Sequence, residues 1–290
     1  MNLASKSVIK NLLKKYQTQP LKRFGQNFLV DKSVLKKIVE SADLRSKDIV
    51  LEIGPGIGTL TREIAKRVKK VISIEKDQKM IEILKETLTG FKNVKIIQGD
   101  VLKINPKYYI LNTKSYKIVA NLPYYIVSPV IRKFLETENR PKLMILMVQK
   151  EVAKRICSKP PEMSLLAVSV QFYAKPEIIS FVSKESFWPQ PKVDSAIIKI
   201  FPFKRARSVL TRLFFRIVKA GFSQPRKQLA NNLSKGLKLD KEKIKKWLLE
   251  NKIKPIQRAE TLKIKDWVKL TKSFNGKLKY KKRRQKRRIF

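Results

Sequence analysis

The apolar segment Ile49-Val50-Leu51-Glu52-Ile53 runs directly into Gly54-Pro55-Gly56-Ile57-Gly58, and this junction constrains the fold more than any other stretch. A short strand ending in glycines turns tightly and brings bare backbone close to whatever lies beside it. Alone, such a turn is as often structural as functional, so the segments after it carry the argument. Leu60 to Val68 reads as a helix, and Lys70 to Glu75 as a strand. Gln78 to Leu88 reads as a helix with Met80, Ile81, Leu84 and Leu88 on one face, and Val94 to Gln98 as a third strand ending at Gly99-Asp100. Tyr116 to Ala120 is a fourth strand that delivers Asn121-Leu122-Pro123-Tyr124. A helix from Pro129 to Thr137 follows, then a fifth, fully buried strand from Lys142 to Gln149. Ala167 to Phe172 and Ala196 to Phe201 read as further strands, the second ending at Pro202. Strands alternating with helices at this rhythm predict an α/β fold with a doubly wound parallel sheet.

Flanking segments read differently. Residues 1–20 form a basic N-terminal extension, helical until Pro20, and Asp31 opens an amphipathic helix with Val34, Leu35, Ile38 and Val39 on one face. The α/β domain is expected over 21–203. Beyond it Val209, Leu210, Leu213, Phe214, Ile217 and Val218 make a helical stripe, and Asp240 to Leu249 and Ile264 to Leu270 also read as helices. A small all-helical domain is therefore expected over 204–275. The last fifteen residues, 276–290, hold nine Lys and Arg and no acid, a composition expected to be a disordered basic tail.

Charge narrows the partners. The chain has 67 Lys and Arg against 23 Asp and Glu, a net +44. Residues 201–290 carry 30 of those cations and only five acids. A chain this basic points first to nucleic acid, with an acidic membrane surface as the weaker alternative. No apolar run approaches the length that spans a bilayer, and no signal-peptide core follows the basic start. Ser7 to Tyr16 could serve an organelle transit peptide, but an RNA-contacting helix accounts for the same residues. The single cysteine, Cys157, leaves no internal disulfide and fits a reducing, cytoplasmic setting. There is no histidine, which removes histidine metal sites and every histidine-based triad or general base. No metal is expected.

Four features define the candidate site. Gly54 and Gly56 lie at the strand-to-helix turn. Glu75 ends the next strand about 20 residues on, where a carboxylate can take both hydroxyls of a ribose. The glycine spacing is G-x-G-x-G with Thr59 next, and the loop has no polar phosphate grip, so a dinucleotide is disfavoured. Asp100 at the end of the third strand suits an adenine amine. The methyl donor S-adenosylmethionine is the better reading of the ligand. Asn121-Leu122-Pro123-Tyr124 is the most specific feature. Methylating an amine conjugated with a purine needs aim more than a strong base. The Asn121 side-chain carbonyl and the Leu122 main-chain carbonyl, held extended by Pro123, can accept both amine hydrogens, and Tyr124 can stack on the base. Such a base must leave any stack to be reached, and Phe187-Trp188-Pro189 offers a second aromatic wall. Arg205, Arg207, Arg212, Arg216, Arg226 and Lys227 surround the C-terminal helical stripe and read as a phosphate-contacting face.

Together these residues resemble the KsgA-type ribosomal RNA adenine dimethyltransferases. The likeness rests on Gln26-Asn27-Phe28-Leu29, Glu52-Ile53-Gly54-Pro55-Gly56, Glu75, Asp100, Asn121-Leu122-Pro123-Tyr124 and Phe187 to Ala196, with a weaker match over Gln224 to Leu233. It spans about residues 20 to 275. It implies a class I methyltransferase (Rossmann-like) sheet and dimethylation of two adjacent adenosines near the 3′ end of small-subunit ribosomal RNA. The implied partner is the pre-30S particle, met by a monomer. By the same likeness Asn27, Leu29, Gly54, Glu75, Asp100 and Asn121 line the methyl-donor site, and Asn121, Tyr124 and Phe187 hold the target base. The chain departs from the family in carrying Met163-Ser164 where Tyr-Gly is usual. Pro225 and Ala230 replace basic residues, and the tail after Gly276 has no counterpart. Three other readings remain for comparison: an Erm-type large-subunit methyltransferase, a non-catalytic RNA-binding assembly or transcription factor of the same fold, and a nucleotide-dependent dehydrogenase.

Overall fold

The computed structural model describes residues 1–105, 115–203 and 210–277, with side chains through residue 274. Arg205, Arg207, Val209 and the tail beyond Lys277 lie outside the described residues. The chain divides into two compact units, Met1–Cys157 with Ser169–Ala206 and Ser158–Val168 with Arg207–Phe290.

The first unit is built on a seven-stranded sheet. Its strands are β2 (Ile49–Ile53), β3 (Lys70–Glu75), β4 (Val94–Gln98), β5 (Lys117–Asn121), β6 (Leu143–Gln149), β7 (Ala174–Val182) and β9 (Ser195–Pro202), in the order β4-β3-β2-β5-β6-β9-β7. The five strands from β4 to β6 are parallel. The last two are not: β9 runs antiparallel to both β6 and β7. The sheet is therefore mixed, with its parallel part where the alternating pattern placed it. A separate two-residue ribbon pairs β1 (Phe28–Leu29) with β8 (Phe187–Trp188).

Helices cover the sheet. α2 (Lys32–Ser41) and α3 (Thr59–Ala65) pack Leu35, Ile38, Val39, Leu60 and Ile64 against Val50, Val71, Val119, Ile145 and Ile197. The alternate residues Leu51, Ile72, Ile118, Met144 and Leu146 point to the other face and are also at most 1% exposed. Burial on both faces explains why these strands read as continuous apolar runs. α1 (Lys6–Lys15), α4 (Gln78–Thr87), α5 (Val127–Leu135) and α6 (Lys150–Cys157) complete the unit. α1 buries Ile9, Leu12 and Leu13 and leaves Lys6, Lys10, Lys14 and Lys15 in solvent.

Residues Ala167 to Phe172, read as a strand, belong instead to α7 (Leu165–Gln171). Val168 and Val170 gave the strand signal, but Ser164 Oγ accepts the Ala167 amide at 3.1 Å and starts a helix. A run of six residues is too short for its apolar pattern to distinguish the two. The second unit holds α8 (Leu210–Gly221), α9 (Leu229–Leu237), α10 (Lys241–Glu250) and α11 (Ile264–Lys277). Phe214, Ile217, Leu233, Leu248, Trp267 and Leu270 are buried in it. Asn232, only 3% exposed, spends its amide on the carbonyls of Gly221 and Gln224, which fixes the turn between α8 and α9. Ala230 is buried, so the basic residue usual there is replaced by a core side chain.

Asp31 ties two of these pieces together. Its Oδ1 accepts the Ser33 and Val34 amides at the start of α2, and its Oδ2 accepts the Ser186 hydroxyl just before β8. Asp31→Ala removes the cap and the tie, and should lower unfolding stability by about 1–2 kcal/mol. A urea melt with an unchanged midpoint would contradict this.

Candidate active site

The strand order reverses between β2 and β5, because β2 continues outward to β3 and β4 while β5 continues to β6. In such sheets the carboxyl ends of the two diverging strands open a crevice. Here that crevice is a pocket lined by residues 24–29, Glu52, Gly54 to Ile57, Thr59, Leu60, Glu75, Asn121 to Tyr124 and Phe187. All lie in the first unit. The structure thus brings together Asn27, Leu29, Gly54, Gly56, Glu75, Asn121, Leu122, Pro123, Tyr124 and Phe187, every expected site residue except Asp100.

Glu75 closes the floor. It ends β3, is 8% exposed, and is held by three amides: Oε1 accepts from Lys76 and Asp77 at 2.8 and 2.9 Å, and Oε2 accepts from Gly56 at 3.1 Å. Burial raises its pKa, with the three amide bonds opposing. The Gly56 bond couples the glycine turn to the carboxylate. Gly56 has φ +57°, and a Cβ there would sit 3.3 Å from the Phe28 ring, so the turn has room for backbone only.

The turn after β5 is locked to the N-terminal loop. Asn121 Nδ2 donates to the Asn27 carbonyl at 3.2 Å, which leaves Oδ1 as the side chain's acceptor. Pro123 is wedged between two loops. A Cβ at Gly25 would meet its Cβ at 3.2 Å, and one at Gly54 would meet its Cδ at 3.8 Å. Gly25 has φ +61° and was not singled out by sequence, although only a side-chain-free residue fits beside the proline. Tyr124 shares a 2.9 Å hydrogen bond between its hydroxyl and that of Ser195 at the start of β9; burial raises the Tyr124 pKa.

The β1–β8 ribbon supplies the aromatic wall. Leu29 pairs with Phe187 and Phe28 with Trp188. Phe187 is 2% exposed and packs on Leu29, part of the core as well as the wall. Gln26 braces the loop, accepting the Leu21 amide and donating to Asp77 at 2.7 Å. Asp100 stands at the end of β4 outside the lining. Its Oδ2 pairs with Lys76 Nζ at 3.1 Å and its Oδ1 accepts the Leu102 amide. Burial raises its pKa, but those partners more than offset this and hold it below the usual carboxylate range. Among the described residues no cluster of His, Cys, Asp and Glu is placed to hold a metal ion, and no helix is long and apolar enough to cross a membrane.

The carboxyl groups of Glu52 and Glu75 line the pocket, and among the described residues no Lys or Arg does. A lining without cations disfavours a pyrophosphate, and the Glu75 carboxyl group suits a sugar.

Comparison with known proteins agrees with this geometry. The profile of the family described as ribosomal RNA adenine dimethylase matches residues 18–275. Ribosomal RNA small subunit methyltransferase A of Dehalococcoides mccartyi (strain CBDB1) is 43% identical over 269 residues, 92% of each chain. The protein of the same name from Clostridium botulinum (strain Okra / Type B1) is 44% identical over 266 residues, 90% of this chain and 96% of that one. Among solved structures, a dimethyladenosine transferase from Plasmodium falciparum superposes with a TM-score of 0.71 at 31% identity, over 86% of this chain and 97% of that one. The 23S rRNA methyltransferase ErmE superposes with a TM-score of 0.70 at 26% identity, over 86% and 100%.

Glu52 generates a pH prediction. It sits in the middle of the parallel sheet at 1% exposure, and Ser73 Oγ donates to its Oε2 at 2.9 Å. Burial pushes its pKa from 4.5 to about 7. The folded protein then binds a proton that the unfolded chain has released, so this group favours folding at low pH. That contribution is lost as pH rises from about 4.5 to 7, by on the order of 3 kcal/mol. Glu52→Gln should flatten the ligand-free protein's melting temperature across this window and raise it above pH 7. Identical pH profiles for the two proteins would show that Glu52 stays charged.

Proposed function

We propose, since the chain belongs to the ribosomal RNA adenine dimethylase family, that it dimethylates the exocyclic amines of two adjacent adenosines near the 3′ end of small-subunit ribosomal RNA, with S-adenosylmethionine as donor. The observation that carries this reading is the Asn121 to Tyr124 turn, fixed at the switch point beside a pocket lined by two carboxyl groups and, among the described residues, no cation.

The residues present fit the donor. Glu75 offers a preorganised carboxylate for a ribose, Gly54 and Gly56 leave backbone-only space, and Asn27 and Leu29 wall the pocket. Asp100 would receive the adenine amine, sharing its carboxylate with Lys76. When bound, the donor supplies an electrophilic methyl on a sulfonium. The protein's part is to aim the nucleophile. Asn121 Oδ1 and the Leu122 carbonyl accept the amine hydrogens, which turns the nitrogen lone pair out of the ring and toward the donor. Tyr124 stacks on the flipped base, with Phe187 as the second wall. The leaving proton needs no histidine, because the methylated amine is acidic enough to lose it to water.

The second unit and the tail supply RNA affinity in this reading. Arg212, Lys219, Arg226 and Lys227 are exposed on and after α8, and residues 276–290 add nine cations. The protein acts as a cytoplasmic monomer on the pre-30S particle. The domain limits 21–203 and 204–275 follow that division of labour. The Erm-type alternative shares the fold, but the small-subunit assignment draws on the 43–44% relatives rather than the 26% neighbour.

Asn121→Ala should abolish methyl transfer from labelled donor while RNA affinity stays within about twofold. A retained rate would refute the aiming role. Supplied with purified small and large subunits, the protein should label the small subunit; label in the large subunit alone would favour the Erm-type reading. Removing residues 276–290 should weaken RNA binding and flatten its salt dependence, each lost phosphate contact reducing the slope by about 0.7–0.9. An unchanged slope would place the tail off the RNA.

A further inference from the structure

The glycine turn is tied at its backbone, by Gly58 to the Pro55 carbonyl at 3.0 Å and by Gly54 to the Ile74 carbonyl at 3.0 Å, but it has little side-chain packing of its own. Gly54, Gly56 and Gly58 all have positive φ, at +68°, +57° and +90°, and Ile57 is the only branched side chain among them. Ile57 is nevertheless 1% exposed, and its cover comes from the N-terminal residues of the same unit. Leu3, Ile9, Leu12 and Leu13, each at most 4% exposed, cluster with Ile57, Phe28, Met80 and Ile83. Ile57 and Phe28 both line the pocket. Polar contacts follow the same path. Thr59, also in the lining, does not offer its hydroxyl to a ligand but donates it to the Leu3 carbonyl at 3.2 Å, and Arg62 donates to the Met1 carbonyl at 3.0 Å. At the far end Glu86 accepts from Lys15 Nζ at 2.7 Å and from the Tyr16 hydroxyl at 2.6 Å. The next residue, Thr87, donates to the Ile57 carbonyl at 2.9 Å.

We propose that residues 1–17 are a clamp on the cofactor site, fixing the glycine turn and the Phe28 wall from behind so that the pocket is preorganised for the methyl donor. The proposal deepens the functional reading above and rests on it. The apolar face is the working part. Four buried aliphatic side chains outweigh the Glu86–Lys15 pair, which is 30% and 62% exposed and therefore screened by water. The lysines of α1 remain in solvent, so the basic character that suggested an RNA arm is compatible with a segment whose docked side serves the other substrate.

The test compares the full chain with the Ile9→Ala/Leu13→Ala double variant and with a chain lacking residues 2–17. Binding of S-adenosylmethionine and of a small-subunit RNA fragment is titrated for each, and kcat and KM for the donor are measured. Undocking the clamp should raise the donor Kd and KM about 10-fold, with kcat at saturating donor and RNA Kd within twofold of the parent. Ile9→Val should restore the parental value. If the deletion does not fold, the double variant decides, with proteolysis after residue 17 reporting undocking. An unchanged donor Kd in an undocked variant overturns the clamp. So does a loss confined to RNA affinity, which would make the segment an RNA arm. A parent chain that binds no donor would overturn the functional reading instead.

Discussion

A sheet buried on both faces leaves no room for polar chemistry except at its strand ends, and the rest of this structure depends on that constraint. The parallel strands are apolar at nearly every position because helices lie above and below them. Ligand groups must therefore gather where loops leave the sheet, and at the β2–β5 reversal the diverging loops line a pocket. The two turns that meet there are made interdependent. Pro123 packs between Gly25 and Gly54, and Asn121 bonds the Asn27 carbonyl, so the N-terminal loop, the glycine turn and the Asn121 to Tyr124 turn share one scaffold. Glu52 is the exception that marks the boundary. It is a carboxylate one residue inside the sheet, and burial keeps its proton on up to about pH 7.

Much of this was legible in sequence because the signals were local and periodic. The strand over Ile49–Ile53, the strand over Lys70–Glu75 and the Asp31 cap of α2 were each readable from residues within one turn or strand. What escaped was set by distance or by the lack of a period. β1 and β8 are two residues each and about 160 positions apart, too short for any alternation to show. β7 pairs only with β9 and lies at the sheet edge, where Lys175, Pro176 and Glu177 break the apolar pattern. α7 was mistaken for a strand because its few apolar residues are too short a run to show a helical period. In the site, the chemistry-bearing motifs were visible, whereas Gly25 and the N-terminal docking were not. Those act by fitting against partners far along the chain, and fit leaves no mark on a residue's own neighbours.

Charge is divided between two scales. At long range the chain is +44, which concentrates it on a polyanion and grows weaker with salt. At the pocket the described lining carries the carboxyl groups of Glu52 and Glu75 and no cation. A phosphate attracted to the surface therefore finds no cationic side chain among those residues. The Lys76–Asp100 pair lies between these regimes. It keeps Asp100 ionised and oriented at the rim without placing a positive charge among the lining residues.

The absence of histidine looks at first like a deficit for an enzyme, yet the site explains why none is needed. The obstacle to methylating a purine amine is delocalisation of its lone pair, and a strong base does nothing to relieve that. Relief comes from acceptors that hold both amine hydrogens out of the ring plane, and acceptors must be fixed to be useful. The amide of Asn121 could point either its oxygen or its nitrogen at the base. The Asn27 carbonyl settles the choice by taking the nitrogen. Asn27 in turn donates to the Gly25 carbonyl, beside Pro123. In the proposed reaction the Asn121 oxygen is thus oriented through side-chain amides bonded to backbone carbonyls, none of which has to change protonation.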